Sequence, residues 1–255
     1  METIKVIRKD NYAIVQLSRK KASPINMQML KELRQAWAEL RTDDSVKGLI
    51  LTGQPGIFTV GLDLKEIYYF NEEQIAAFWK EWQLMITELT AFPKPTICAI
   101  SGHSPAGGCV LAICCDYRIM ADGEAYTIGL NEIAVGIAIP TYIFEMYAYW
   151  LGKHRAYQYL MQAKLHHVQK AHVIGLVDEI CELEDLQATA EARLKEWIIY
   201  PNTLVGPSKL VMRKEIIEVM QYKEDPVALR AQLDAWFNPK SRAIMGAVVK
   251  RLEKR

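Results

Sequence analysis

The sequence lacks the features that mark membrane, secreted and nucleic-acid-binding proteins. No apolar run reaches the roughly 18 residues that a membrane-spanning helix needs. The start, METIKVIRKDNYAIVQL, alternates like a strand and contains neither the apolar core of a secretory signal nor an Arg- and Ser-rich transit segment. With 31 Lys and Arg against 30 Asp and Glu, the net charge of +1 argues against a strongly basic nucleic-acid binder. We therefore expect no membrane or nucleic-acid partner, and a location in the cytoplasm or, for a processed chain, in the mitochondrial matrix.

Cysteine is scarce, and no pattern indicates a disulfide framework or a metal site. The chain has five cysteines, an odd number without a C-x-x-C pair, and its histidines do not complete a zinc pattern. Free cysteine is commonly buried as a small apolar residue. We expect that environment for all five, which are Cys98, Cys109, Cys114, Cys115 and Cys181.

The composition and the order of the predicted elements indicate a mixed fold. The 255 residues are 51% hydrophobic and 24% charged, which is typical of a globular protein with a large core. Strand and helix patterns alternate through the first two thirds of the chain, which favours an α/β fold with largely parallel strands. From about Leu183 onward only helical patterns occur. The sequence therefore predicts an α/β core over residues 1–197, followed by a helical region over residues 198–255.

Individual elements follow from the periodicity of apolar residues and from turn residues. Asn26 is the expected N-cap of a helix that begins at Met27, and Pro93 and Pro95 end a later helix near Phe92. Residues 101–108, rich in small side chains, are predicted to form a turn. The other predicted segments are two strands within 4–17, strands over 46–52, 96–100 and 116–121, and helices over 110–115, 185–199, 203–220 and 226–236.

Two glycine-containing turns, at residues 58–64 and 102–109, each follow a strand and open a helix. Such a turn exposes backbone N–H groups at the positive end of the helix dipole, and glycine lets a ligand approach the backbone closely. The two turns can therefore hold one oxygen atom between two N–H donors, as an oxyanion hole does, or they can be tight turns only. Neither turn matches a phosphate loop or a G-x-G-x-x-G dinucleotide motif.

Glu132 is the only ionisable residue in the apolar stretch of residues 129–140. Burial of this carboxyl would raise its pKa and make it a usable base near neutral pH. The alternative is an exposed glutamate on a turn beside a buried strand.

Taken together, these segments resemble the enoyl-CoA hydratase/isomerase superfamily, also called the crotonase family, over nearly the whole chain. The similar segments are the N-terminal strands, the strand over 46–53, both glycine turns, CDYRI at 115–119, LVDEI at 176–180 and the helical tail. The resemblance implies a spiral of ββα units with a C-terminal helical region that mediates trimers, and thus a homotrimer or a hexamer of two trimers. It also implies an acyl-CoA substrate and no metal or redox cofactor.

The resemblance further implies roles for three residues. Leu62 and Gly107 match the positions of the family's two oxyanion donors, so their backbone N–H groups would hold the thioester oxygen while an enolate forms. Glu132 matches a glutamate that moves protons in this family. These three residues are the expected catalytic groups.

The carboxylates of the resembling proteins distinguish their reactions. Two-glutamate hydratases carry one of their glutamates at the position of Val110. Dienoyl-CoA isomerases carry acids at the positions of Val110 and Pro140. Peroxisomal-type Δ3,Δ2-enoyl-CoA isomerases carry their glutamate near the position of Pro140. The mitochondrial type of Δ3,Δ2-enoyl-CoA isomerase is more similar, because it has one catalytic glutamate in a GLNE segment, as at 129–132, and a PAGGC turn, as at 105–109. The resemblance thus implies an isomerase that converts 3-enoyl-CoA to trans-2-enoyl-CoA. The alternatives are a hydratase with displaced carboxylates, another acyl-CoA reaction of the family, or a CoA-binding protein without catalysis.

Other residues are open to a functional and a structural interpretation. Five apolar side chains either line an acyl pocket or pack in the core: Trp79, Trp82, Ile133, Val135 and Ile139. Three basic residues either meet the CoA phosphates or form a solvated helix face: Lys209, Arg213 and Lys214.

The remaining polar candidates are expected to have structural roles. Asp63 is the expected cap of the helix that follows the first glycine turn. His103 lies beside the second turn, where it either reaches substrate or is incidental. The other histidines are expected on the surface, at His154, His166, His167 and His172.

Overall fold

The computed structural model describes residues 1–254 and has two sheets, between which the strands of the middle part of the chain alternate. The first sheet has six strands in the order β1-β2-β3-β5-β7-β10, and only the β1–β2 pair is antiparallel. Its strands are β1 (Ile4–Arg8), β2 (Ala13–Leu17), β3 (Leu49–Thr52), β5 (Thr96–Ile100), β7 (Tyr117–Ala121) and β10 (Glu179–Cys181). The second sheet, in the order β4-β6-β8-β9, has β4 (Gly56–Ile57), β6 (Gly102–Pro105), β8 (Thr127–Gly129) and β9 (His166–His167).

Successive strand pairs therefore give one strand to each sheet before a helix follows. The pairs are β3–β4, β5–β6 and β7–β8, and each ends at an edge where a helix or 3₁₀ turn begins. The helices of the α/β core are α1 (Met27–Thr42), α2 (Leu64–Ile67), α3 (Glu72–Thr90), α4 (Gly107–Cys114), α5 (Thr141–Leu151), α6 (Lys153–Met161), α7 (Val168–Val173) and α8 (Leu186–Trp197), with a 3₁₀ turn at Glu132–Val135. This arrangement confirms the predicted α/β spiral of ββα units.

Helices alone fill the rest of the described chain, as predicted. They are α9 (Asn202–Met212), α10 (Lys214–Met220), α11 (Pro226–Phe237) and α12 (Pro239–Glu253). The single helix expected over 203–220 is two helices that meet at Arg213, whose backbone leaves the α-helical region. Buried side chains of these helices, such as Ile216, Trp236 and Met245, belong to the same apolar cluster as α1 and α3. The division of the chain at residues 197 and 198 stays a prediction.

The first sheet is covered on both faces. The larger apolar cluster includes Leu33 and Trp37 of α1 and Phe78 and Ile86 of α3. A second cluster joins four side chains of the α8 region to the opposite face of the sheet, namely Leu186, Ala190, Leu194 and Ile198. Parallel strands with both faces buried read as continuous apolar runs, as ICAI in β5 does.

Local signals explain several element ends. The side chain of Asn26 accepts a hydrogen bond from the Met29 N–H at 3.0 Å, so the predicted N-cap of α1 is confirmed. The turn predicted over 101–108 is wrong, because its first half is strand β6 and Gly107 already begins α4. Glycine permits the ladder there: a Cβ on Gly102, which has φ +153°, would lie 2.0 Å from the Gly56 carbonyl oxygen of β4.

The structure shows the burial of the cysteines and the character of the helices. Four cysteines are buried and Cys181 is half-buried, and all five are free thiols. Within residues 1–254, no helix combines the length and apolar character that crossing a membrane requires.

Candidate active site

The three expected catalytic residues line one cavity of about 740 Å³. Leu62 comes from the turn before α2, Gly107 from the first position of α4, and Glu132 from the first position of the 3₁₀ turn after β8. Each of these turns follows a strand of the second sheet, so the sheet brings three distant segments to one edge. The C-terminal helices close the cavity with Gln232 of α11 and Val248 of α12.

The first turn leaves one backbone N–H group without an acceptor. The Val60 N–H donates to the Ala22 carbonyl at 3.2 Å, the Gly61 N–H to Thr59 Oγ1 at 3.1 Å, and the Asp63 N–H to the Ile25 carbonyl at 2.8 Å. Among the described residues, the N–H of Leu62 between them has no such partner. The turn therefore presents a free donor on the cavity wall.

The second turn presents a similar donor close by. Ala106 has a strained φ of +49° and donates its N–H to the Gly129 carbonyl at 2.8 Å, whereas the N–H of Gly107 has no acceptor within the described chain. Gly107 is the first residue of α4, so the positive end of the helix dipole adds to this donor. A Cβ on Gly61, which has φ +83°, would lie 3.2 Å from the Gly107 nitrogen, so glycine at position 61 lets the two turns meet.

The carboxyl group of Glu132 is enclosed and unpaired. The residue is half-buried, but its Oε2 is shielded from solvent and finds no hydrogen-bond partner among residues 1–254. Burial raises the pKa of Glu132 from its ordinary 4.5 to about 7, and the residue's own backbone N–H opposes part of this shift. The alternative of a solvent-exposed glutamate on a surface turn is wrong, because the carboxyl faces the apolar cavity.

Asp63 is the other acidic residue on the cavity wall, and its charge is already compensated. Its Oδ2 accepts a hydrogen bond from Arg19 Nη1 at 2.6 Å. Asp63 stands at the N-cap position of α2, as expected, but its side chain makes no capping bond and pairs with Arg19 instead. Val110 and Pro140, which stand at the two positions where the resemblance implied acids in other types of the family, also line the cavity. Glu132 is therefore the cavity carboxyl that is free to exchange a proton.

A family model described as "Enoyl-CoA hydratase/isomerase" matches residues 8–234. The chain belongs to the enoyl-CoA hydratase/isomerase family. Enoyl-CoA delta isomerase 1, mitochondrial, of Mus musculus is 36% identical over 203 residues, which are 79% of this chain and 70% of the mouse protein. A probable enoyl-CoA hydratase of Mycobacterium bovis is 31% identical over 194 residues, 75% of this chain and 73% of that protein. The crystal structure of human mitochondrial delta3-delta2-enoyl-CoA isomerase matches with a TM-score of 0.92 over 99% of both chains at 27% identity.

These matches confirm the resemblance and the fold class inferred from the sequence, and the apolar wall of the cavity agrees with a family that handles acyl groups. Four of the five apolar candidates line the cavity: Trp79, Trp82, Val135 and Ile139. Ile133 does not line it and is 41% exposed. In the 3₁₀ turn, Glu132 and Val135 are three residues apart and share the cavity wall, whereas Ile133 between them does not line it.

The basic residues at the cavity are not the ones that the sequence indicated. Both interpretations of Lys209 and Arg213, as contacts for CoA phosphates and as a solvated helix face, are wrong. The two side chains are buried against Asp116, with Lys209 Nζ 2.6 Å from Asp116 Oδ2. Lys214 is exposed on α10, away from the cavity. The lysines that line the cavity are Lys20, Lys21 and Lys65. Lys20 and Lys21 lie on an irregular segment without periodicity, and their adjacency was the only signal in the sequence.

Two histidines differ in their surroundings. His103 lies 3.4 Å from Thr127 Oγ1 and packs edge-on against Tyr126, outside the cavity lining, which agrees with the structural interpretation. The expectation that His166 is exposed is wrong, because β9 pairs with β8 and buries its ring to 2% exposure. Among residues 1–254, no group of three or more His, Cys, Asp or Glu side chains is placed to hold a metal ion.

Proposed function

We propose that this member of the family is an isomerase that moves the double bond of an acyl-CoA thioester from C3 to C2, giving the trans-2-enoyl product. The observation that carries the proposal is a single unpaired carboxyl, Glu132, in the same cavity as two free N–H donors, Leu62 and Gly107. The names of the mouse relative and of the human structure support this activity over others in the family.

In the proposed mechanism, Glu132 transfers one proton between two carbons. The ionised carboxylate removes a proton from C2, and the electrons move onto the thioester oxygen. The N–H groups of Leu62 and Gly107 stabilise that negative charge, and the protonated Glu132 then returns the proton to C4. A pKa of about 7 suits both halves of the transfer, since the group must lose and gain a proton near neutral pH.

Water addition is expected to be slow in this site. A hydratase of this family needs a second carboxylate to handle water, and the position of one of its glutamates is occupied here by Val110, which is 1% exposed. Asp63 does not replace it, because Arg19 holds its carboxylate. Hydratase activity is the second candidate function, favoured by the 31% identity to a probable enoyl-CoA hydratase.

The cavity wall supports an acyl-CoA ligand. Trp79, Trp82 and Ile139 provide apolar area for the acyl chain. Lys20 and Lys21 also line the cavity, and we expect them to contact the CoA phosphates. The proposed reaction moves only a proton, so it needs no metal or redox cofactor.

We also propose that the chain forms a homotrimer, or a hexamer of two trimers, through its C-terminal helical region. Large apolar side chains are exposed in α9 and just before its start, among them Tyr200, Leu204, Val211 and Met212. Such an exposed apolar patch is typical of a protein–protein interface. Light scattering after gel filtration measures the assembly. The absence of nucleic-acid and membrane partners stays a prediction. So does the location in the cytoplasm or mitochondrial matrix, of which the mitochondrial name of the mouse relative favours the second.

A paired assay on purified protein tests the proposed activity. One arm supplies 3-hexenoyl-CoA and measures 2-hexenoyl-CoA by chromatography, and the other supplies crotonyl-CoA and measures hydration. Isomerisation with little hydration supports the single-base mechanism. Rapid hydration would favour the hydratase, and acyl-CoA binding without turnover would favour another family reaction or a non-catalytic CoA-binding protein.

A further inference from the structure

Residues 19–26 form a support for the turn that presents the Leu62 N–H. Besides the bonds from Val60 and Asp63 to this segment, Thr59 Oγ1 donates to the Ser23 carbonyl at 2.6 Å, and the Ile25 N–H donates to the Gly61 carbonyl at 2.9 Å. The position of Leu62 is thus set by a segment that lies far away in the sequence.

The side chain of Asp63 introduces an electrostatic problem at this turn. It follows Leu62 directly, lines the cavity, and is 9% exposed. A free carboxylate at that position would repel the negative charge that develops on an oxygen bound to the Leu62 N–H. Such repulsion is stronger in a cavity shielded from water, because the local dielectric is low.

Arg19 removes that repulsion and connects the support to the turn. Its Nη1 donates to Asp63 Oδ2 at 2.6 Å and to the Pro24 carbonyl at 2.9 Å, while Nη2 lies 3.5 Å from Glu66 Oε2. The Arg19 side chain is 13% exposed, so solvent weakens these contacts little. Arg19 itself is not part of the cavity wall, and it therefore acts on the site through Asp63.

We propose that Arg19 is a positioning residue for the oxyanion site, which keeps the Leu62 N–H effective by neutralising the carboxylate of Asp63. This inference rests on the proposed function, because it concerns the charge that forms during the reaction. Its main consequence is that the harm done by losing Arg19 comes largely from the carboxylate that remains.

The test compares Arg19→Met, Asp63→Asn and the double variant Arg19→Met/Asp63→Asn in the isomerase assay. We expect Arg19→Met to lower kcat about tenfold with little change in KM, less than the 10²–10³-fold loss of a whole oxyanion donor. Asp63→Asn keeps an oxygen acceptor for Arg19 and should stay within about threefold of wild type. The double variant should recover most of the lost kcat, because the repelling charge is gone.

A purely structural role for Arg19 gives a different result. The double variant would then be as slow as Arg19→Met, and this outcome, or an unchanged kcat in folded Arg19→Met, would overturn the inference. Arg34→Met is the matched control: it removes an arginine paired with Glu88 between α1 and α3, away from the cavity, and should leave kcat unchanged.

Two further measurements keep the outcome clear. If Arg19→Met does not fold, Arg19→Gln removes the charge and keeps an N–H donor. A kcat about tenfold below wild type that Asp63→Asn restores supports the inference, whereas an unchanged kcat contradicts it. Wild type is assayed in the same series. An inactive wild type contradicts the proposed function, whereas an active wild type with an unaffected Arg19→Met contradicts only the role of Arg19.

Discussion

Glu132 and Asp116 are both largely enclosed carboxyl groups, but they lie in regions with opposite chemistry. Glu132 Oε2 has no partner in the described chain, and burial raises its pKa to about 7. Burial would also raise the pKa of Asp116, but Lys209 and Arg213 outweigh it and hold that pKa below its ordinary 3.8. The same chemical group is thus left free to exchange a proton in one region and is held as an anion in the other, and the difference lies in the presence of cations.

The ion pairs of Asp116 with Lys209 and Arg213, which we call the anchor, attach the C-terminal helices to the sheet. Asp116 Oδ2 accepts from Lys209 Nζ at 2.6 Å and from the Thr96 N–H at 2.8 Å, which connects α9 to the start of β5. Arg213, between α9 and α10, donates to the Cys114 carbonyl at 2.8 Å at the end of α4. Charged groups thus hold the helices where an apolar contact alone would leave these polar atoms unsatisfied.

The largest expected effect is the loss of activity in Glu132→Gln. The amide has nearly the shape of the carboxyl but cannot take up the C2 proton, so isomerisation should fall about 10²–10⁴-fold. The rate of 2-hexenoyl-CoA formation measures it. Glu145→Gln on α5, outside the cavity lining, is the control and should keep full activity. Nearly full activity in Glu132→Gln would show that another group is the base.

The second prediction concerns the same replacement of a carboxyl by an amide, now at Asp116. Asp116→Asn leaves Lys209 and Arg213 buried without a counter-charge, and breaking such a pair typically costs about 3–5 kcal/mol of the free energy of unfolding. Urea unfolding measures the loss. Glu218→Gln, which removes the exposed partner of Lys214, should cost less than about 0.5 kcal/mol. A similarly small cost for Asp116→Asn would contradict the anchoring role.

The pH dependence should have opposite signs for the two carboxyls. Since the raised pKa of Glu132 makes the folded state hold its proton, its contribution to stability is lost as pH rises from about 4.5 to about 7. The contribution of Asp116 is present above pH 3.8 and is lost as pH falls through its lowered pKa. At pH 8, Glu132→Gln should therefore be more stable than wild type, by about 1–3 kcal/mol, in urea unfolding.

The pH dependence of kcat/KM measures the pKa of Glu132 independently of stability. Because the proposed mechanism requires ionised Glu132 in the free enzyme, kcat/KM should rise with pH through about 7 and then level off. A profile that is flat between pH 5 and pH 8 would contradict an unpaired Glu132 as the base.

The comparison also shows which parts of the site a sequence can reveal. Glu132 was identifiable because it is the only ionisable residue in an apolar stretch, and the two turns were identifiable from glycine between a strand and a helix. Whether the N–H groups of Leu62 and Gly107 stay free depends on the hydrogen bonds between the first turn and residues 22–25 and on the bond that the Gly129 carbonyl accepts. No local sequence pattern contains these partners.

The features that the sequence predicts wrongly are those set by contacts between distant segments. Helical spacing places Lys209 and Arg213 on one face, but it does not say that Asp116, 93 residues before Lys209, lies opposite and buries them. Residues 102–105 looked like a turn because their strand character comes from the ladders with β4 and β8. Such partners follow from the fold and are absent from the local sequence.

His166 is a buried base without a hydrogen-bond partner in the described part of the chain, and of the groups compared it should have the smallest effect on stability. Both ring nitrogens lack hydrogen-bond partners among the described residues, and the ring packs edge-on against Tyr159 at 4.4 Å. Burial lowers the pKa of His166 to about 4, and Lys164 and Lys170 add to the shift. Because the folded state resists protonation, stability should be lost as pH falls from about 6.5 towards 4.

His166→Phe tests this expectation by keeping an aromatic ring and removing the titratable group. Its loss of stability between pH 7 and pH 5 in urea unfolding should be smaller than that of wild type by about 1 kcal/mol. His154→Phe, at an exposed position on α6, should follow wild type. Equal acid sensitivity in His166→Phe and wild type would mean that β9 opens or takes up water around the ring. The expected result would instead show that a buried histidine without a charged partner is tolerated because it stays neutral, unlike the buried acid Asp116, which its cations keep ionised.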